Sequence, residues 1–369
     1  MIPVNEPLLD GNEKKYLLEC IETGWISSEG PFIKQFEDKF AKQVDRRNAI
    51  AVSNGTAALD AAIEALGIGP GDEVIMPAFT IISCVGQIVR AGAIPVLVDS
   101  EPLTWNMDIQ QIEGKITSRS KAILVVHIYG LPVDMDPVLE IARRHQLKVI
   151  EDAAEMHGQT YKGKPCGSFG DISTFSFYPN KHITTGEGGM IVTNNEQLAE
   201  DCRSLRNLCF QAKKRFVHER LGWNLRMTNL QAALGLAQLE RLEEFVMRKR
   251  SMGRIYTELL ADIPTIQLPL ASTEYAHNIY WVYGLVLTED SSLDAEQAMR
   301  LLGEHGIGTR PFFCPMNQQP ILKKMGLFAE ESYPEADRLY RQGFYIPSGM
   351  ALKEEQIREV AKVLHQVLV

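Results

Sequence analysis

The sequence predicts an α/β protein: a mostly parallel sheet covered by helices, with a smaller α+β unit after it. Between Asn48 and Asn194, short Val, Ile and Leu runs alternate with stretches of helical spacing, the rhythm of strand–helix–strand units. The runs are apolar on both faces, as strands buried in parallel pairing must be. Beyond Ile263 that rhythm gives way to isolated strands mixed with amphipathic helices.

The elements follow in order. Ala49–Val52 reads as a strand, and the alanine-rich Thr56–Leu66 as a helix closed by Gly67. Glu73–Met76 is a strand, Ile81–Ala91 a helix, and Ile94–Val98 and Ala122–Val126 further strands. A helix over Asp136–His145 leads to the strand Lys148–Ile150, which runs into the acidic Glu151-Asp152. After Gly189 come the strand Met190–Thr193 and the helix Glu196–Arg206. Leu208–Asn224 is basic and irregular, the pattern of a mobile loop. One long helix is expected from Thr228 to about Leu260, then a strand over Ile279–Leu287 and helices over Asp294–Glu304 and Lys353–Leu368. The expected division is a large domain over 1–245 and a small one over 246–369, with 1–25 free to pack against the small one.

Composition narrows the function. The chain has 369 residues, 45% hydrophobic, with a net charge of −9 and no basic block, which argues against nucleic acid as a partner. The six cysteines form no C-x-x-C pair and no zinc-type spacing, so free thiols and no metal are expected. No apolar run is long enough to span a bilayer, and the first residues lack a signal-peptide pattern. A cytoplasmic protein is the expectation.

Three segments carry the chemistry. In Thr174–Gly189 an apolar run ends at Lys181, beside a turn rich in threonine and glycine. A free lysine titrates near ~10.4, so only about one in a thousand is a neutral nucleophile at pH 7, and an imine with an aldehyde cofactor removes that obstacle. A surface lysine is the competing reading; Asn180, His182 and the Gly186–Gly189 turn weigh against it. That turn precedes a strand rather than a helix, so it is no dinucleotide fingerprint. Asp152 stands at the carboxyl end of a predicted parallel strand, where such sheets bind ligands. A buried carboxylate there needs a cation such as a protonated pyridine nitrogen; the competing reading is a helix N-cap. Ser53-Asn54-Gly55-Thr56 joins a strand to a helix start, a natural phosphate cradle, with the hydroxyls of Thr56 and Ser176 as further donors. Phe79 follows another strand end and either stacks on a flat ring or fills the core.

Together these segments resemble the DegT/DnrJ/EryC1/StrS sugar aminotransferases, pyridoxal-phosphate enzymes of fold type I, the aspartate aminotransferase fold. The likeness also covers Ile2–Pro7, Trp25–Pro31, Ser53–Leu59, Glu151–Glu155 and Asn224–Asn229. It implies that Lys181 binds pyridoxal phosphate, Asp152 pairs with the ring nitrogen, Gly55, Thr56 and Ser176 hold the phosphate, and Phe79 covers the ring. Asn229 would reach the phosphate of a second subunit's cofactor, which implies a homodimer with shared sites. Glu155 takes a cofactor-contact position where many relatives carry glutamine or histidine. Dehydratases of the family carry histidine in place of the lysine, so Lys181 favours transamination.

Thr309–Pro315 resembles the segment near the nucleotide-sugar site, with Arg310 facing a diphosphate or else making a surface ion pair. His182, Trp25 and Ser27 are further substrate-side candidates. The likeness is greatest to members that move an amino group from L-glutamate to C4 of GDP-4-keto-6-deoxymannose for surface polysaccharide. UDP- or dTDP-linked ketones, C3 amination, dehydration and a non-catalytic sensor are the rival readings.

Overall fold

The computed structural model describes residues 1–368. Its large sheet contains β1 (Asn48–Val52), β2 (Glu73–Pro77), β3 (Ile94–Val98), β4 (Ser120–Val126) and β5 (Lys148–Asp152). A separate hairpin of β6 (Thr160–Tyr161) and β7 (Lys164–Pro165) precedes the last two strands, β8 (Ile172–Ser176) and β9 (Gly189–Thr193). The order is β1-β9-β8-β5-β4-β2-β3. All neighbours pair in parallel except the two pairs that involve β9. No helix separates β8 from β9, so the chain returns beside β8 in the opposite direction.

Helices α1 (Glu13–Thr23), α2 (Pro31–Gln43), α3 (Gly55–Ala65), α4 (Ile82–Arg90), α5 (Met135–His145), α6 (Glu196–Arg206) and α7 (Asn229–Leu239) accompany the large sheet. Apart from the edge strand β3, whose Ile94 and Val96 are half-buried, the strands are buried on both faces along their apolar runs. Ile123 and Val125 of β4 enter one core, while Leu124 and Val126 enter the other. In the first core, Phe36 and Phe40 of α2 meet Phe175 and Phe177 at ring separations of 4.9–5.3 Å.

The expected single helix from Thr228 to Leu260 is two. α7 ends at Leu239, and α8 (Leu242–Leu260) begins after Arg241, whose φ of −116° leaves the helical region. The two helices have different partners: α7 packs on α1 and α2, α8 on α12 (Glu354–Leu368), and one straight rod cannot serve both. The C-terminal part contains β10 (Ile266–Gln267), β11 (Tyr283–Leu287), β12 (Arg310–Pro311) and β13 (Gly343–Ile346), ordered β10-β11-β13-β12 and antiparallel throughout. Their core is shared with α8, α12 and α9 (Ala295–Glu304), which a capping box at Asp294 and Gln297 starts. The short α10 (Pro320–Lys324) and α11 (Pro334–Gln342) lie between β12 and β13. The first residues join this part: Ile2 bridges Ile307, and Ser348 N–H donates to the Val4 carbonyl.

The expected strand from Ile279 starts only at Tyr283, because Tyr280 adopts a left-handed φ of 48° and breaks the extended run. Among the described residues no helix is long and apolar enough to cross a membrane, and all six cysteines are free thiols.

Candidate active site

Five connections converge at the carboxyl ends of the large sheet: the turn after β1, the segment after β2 with Thr80 and Ile81, the segment after β4, the acidic turn after β5 and the Lys181 turn after β8. They surround a cavity of about 750 Å³. Glycine brings two of them together. A Cβ on Gly189 would sit 2.4 Å from the Asn54 carbonyl oxygen, and one on Gly55 would sit 2.8 Å from Ser176 Cβ. The phosphate-type turn and the lysine turn therefore touch through backbone. Asn54 caps α3 by accepting from Ala57 N–H at 2.8 Å, which leaves the leading residues Gly55 and Thr56 lining the cavity.

The Lys181 turn is closed by its own bonds. Thr184 Oγ1 donates to the Phe177 carbonyl at 2.8 Å, Lys181 N–H donates to the Tyr178 carbonyl at 2.9 Å, and Gly186 turns the chain at φ +80°. The Lys181 side chain is 10% exposed, and Nζ lies 3.9 Å from Glu155 Oε1 and 3.7 Å from the centroid of the Trp281 ring. Burial pushes its pKa down, against the pull of the Glu155 and Asp152 carboxyls.

Asp152 is buried and has few partners. Oδ1 accepts from Ala154 N–H at 3.0 Å, and Oδ2 from the Cys84 thiol at 3.4 Å. No ion pair compensates it among the described residues, and burial raises its pKa. Glu155 is buried with Oε2 accepting from Tyr129 N–H at 2.7 Å, and burial pushes it up to about 8. The site thus presents two carboxyl groups to one amine.

Glu151, the neighbour of Asp152, serves the scaffold. His127 Nδ1 accepts from Val133 N–H, so Nε2 carries the hydrogen and donates to Glu151 Oε1 at 3.2 Å. The amides of Gly167, Phe169 and Gly170 and the Ser173 hydroxyl complete the carboxylate's partners. Burial alone would raise the Glu151 carboxyl; these hydrogen bonds outweigh it and hold the group at about 2. Cys166 lies close by, but the donor atoms of His127 and Glu151 are committed within the protein, so this trio reads as a structural knot rather than a metal centre.

Of the residues singled out from sequence, Gly55, Thr56, Asp152, Glu155, Ser176 and Lys181 all line the one cavity. Others do not. Phe79 is fully buried among Tyr129, Phe312 and Phe313 and is a core aromatic, not a cover for a ring in the cavity. His182 is also buried, with Nε2 against the Ile279 carbonyl at 3.0 Å, so it offers no surface to a substrate. Asn229 lacks the free side chain that a bond to a second subunit needs. Its Oδ1 accepts from Phe32 N–H at 2.9 Å, and Nδ2 donates to the Trp25 carbonyl at 2.8 Å and the Cys20 sulfur at 3.3 Å. It braces the Trp25–Gly30 segment from inside; the exposed asparagine of that stretch is Asn224. Trp25 and Ser27 are exposed on the braced segment, outside the cavity. Arg310 is exposed beside a second cavity of about 270 Å³, which shares Tyr178, Asn180 and Tyr345 with the first.

Sequence reasoning missed Trp281, Phe313, Tyr345 and Cys84. The three aromatics form walls of the cavity, and Cys84 meets the Asp152 carboxyl. Trp281 stands inside an apolar run that reads as plain strand, and nothing local separates it from its neighbours.

These groups fit a flat aldehyde that carries a phosphate and a ring nitrogen. The glycine-lined start of α3 has the close backbone approach that a phosphate needs. Asp152 lacks a cation, and the Lys181 amine faces the cavity without a hydrogen bond to a carboxylate. Fold and site define a pyridoxal-phosphate-dependent transferase of fold type I.

The sequence profile of the DegT/DnrJ/EryC1/StrS aminotransferase family matches residues 7–365, and the chain belongs to that family. It is 46% identical to the GDP-perosamine synthase of Caulobacter vibrioides over 369 residues, 100% of this chain and 98% of that one. It is 42% identical to the GDP-perosamine synthase of Escherichia coli O157:H7 over 365 residues, 99% and 98% of the two chains. Among solved structures, an aminotransferase from Psychrobacter cryohalolentis superposes with a TM-score of 0.91 at 30% identity, covering 98% of each chain.

Proposed function

We propose that this enzyme moves an amino group from L-glutamate to C4 of GDP-4-keto-6-deoxymannose and so makes GDP-perosamine for surface polysaccharide. The observation that carries this is the 46% and 42% identity, over essentially the whole chain, to two GDP-perosamine synthases. When bound, pyridoxal phosphate supplies an aldehyde and a ring that accepts electron density from the reacting carbon. Lys181 is the residue that would bind the aldehyde, and its freed amine would carry a proton from the cofactor carbon to the sugar carbon. Asp152 holds the proton of the ring nitrogen. Gly55, Thr56 and Ser176 bind the phosphate, and Trp281, Phe313 and Tyr345 exclude water. Arg310, beside the adjoining cavity, has a planar fork suited to a diphosphate.

We place the boundary between a large and a small domain at 245/246, within α8. A homodimer is supported by the apolar Trp25, Ile26 and Trp223, all at least 40% exposed. Light scattering tests it: a monomeric mass under assay conditions sinks the dimer.

The functional test supplies L-glutamate with GDP-, UDP- or dTDP-linked 4-keto-6-deoxy sugars and identifies the product by mass and NMR. A 4-amino sugar from the GDP substrate is expected. Preference for a UDP or dTDP ketone replaces the substrate; a 3-amino or dehydrated product replaces the reaction.

A further inference from the structure

Trp281 makes more contacts with the lysine turn than a wall residue needs. Its ring centroid lies 3.7 Å from Lys181 Nζ, nearer than the closest carboxylate oxygen at 3.9 Å. Its indole N–H donates to the carbonyl of Asn180, the residue before Lys181, at 2.8 Å. One side chain thus holds both the peptide and the amine of the lysine.

Trp281 is itself fixed from behind. Lys249 of α8 is buried with no carboxylate partner among the described residues, and its ammonium donates to the carbonyls of Trp281 (2.8 Å) and Ser348. The indole packs against Tyr129 at 5.7 Å and lies nearly parallel to Phe313. A buried lysine committed to two carbonyls is an expensive way to hold a loop, and here it secures the backbone of the residue that bears on Lys181. A cation over an aromatic face is most strongly stabilised when it is shielded from water, as this one is.

We propose that Trp281 is a positioning residue for Lys181: its ring face carries the ammonium, and its indole N–H fixes the peptide from which the amine swings. This rests on Lys181 being the residue that binds the cofactor. The ring favours the charged amine, and the clamp on Asn180 restricts its arc. The other titratable groups that face the amine are Glu155, Asp152 and Cys84, with His157 and His182 behind the turn.

The test is capture of pyridoxal phosphate by the full-length, cofactor-free chain, followed by absorbance from neutral to alkaline pH. Wild type, W281L, W281F and K181A are compared. In W281L the apparent pKa of the amine is expected to fall by roughly one unit, equivalent to about 1.4 kcal/mol, within the span of a desolvated cation–π contact. W281F keeps a ring but loses the clamp, so capture is expected to slow by roughly 10-fold at every pH with little change in pKa. A W281L profile that superimposes on wild type in pH, or a W281F rate equal to wild type, overturns the proposal. If W281L does not fold, the W281F rate decides alone. A K181A chain that gives the wild-type absorbance change sinks the assignment of Lys181 itself.

Discussion

Glu155 Oε1 lies 3.9 Å from Lys181 Nζ, with both side chains almost wholly closed to water. Burial works on the two in opposite senses, raising the acid to about 8 and lowering the amine. In the unfolded chain Glu155 titrates near its ordinary value of 4.5. Between that value and about 8 the folded chain keeps a proton that the unfolded chain has lost, so this residue makes stability fall as pH rises through the window. E155Q removes the titration. Its melting temperature is expected to gain on the cofactor-free wild type as pH rises from 5 towards 8. In free energy of unfolding the gain is limited to about a few kcal/mol. A difference that stays constant with pH contradicts the assignment.

His157 gives the opposite sign. Burial lowers it to about 3, against an ordinary value of 6.5. As pH falls through that interval the unfolded chain takes up a proton that the folded chain refuses, so stability drops. H157F, placed against Phe175 and Phe177, is expected to flatten the acid side of the melting curve. Equal acid slopes in variant and wild type are the contrary result.

Replacing Lys181 with Ala is expected to lower turnover by more than about 1,000-fold, because both the cofactor bond and the proton carrier are lost. The variant should keep its melting temperature in the cofactor-free form. Near wild-type turnover by the purified variant ends the mechanism proposed above.

D152N separates function from stability. Asp152 is a buried carboxyl without a cation in the chain itself, and burial raises its pKa. The amide is therefore expected to leave the cofactor-free protein as stable or more stable, while activity falls by roughly 100-fold or more. Full activity with the amide shows that no charge is needed at the ring nitrogen.

Asn229 is expected to matter for stability before it matters for chemistry. N229A leaves the Phe32 amide and the Trp25 carbonyl without their partner, at a cost of about 2–4 kcal/mol. Thermal unfolding measures it. An unchanged melting temperature shows that the Trp25–Gly30 segment is held by other contacts.

The chain by itself determined most of the sheet and pointed to part of the candidate site. Parallel strands buried on both faces must be apolar, so Ala122–Val126 announces itself as the inner run of β4. Groups at strand ends follow from local order alone, and Asp152, the Gly55 turn and Lys181 stand at such ends. Tertiary structure decided the rest. Whether Phe79 faces a ligand or the core, and whether Asn229 and His182 point outward, depends on segments distant in sequence. Asn229 meets Phe32 across 197 positions, and His182 meets Ile279 across 97. Trp281 joins Asn180 across 101. Periodicity is a local property of the chain, while the walls of a site are set by which distant segments the packed core brings together.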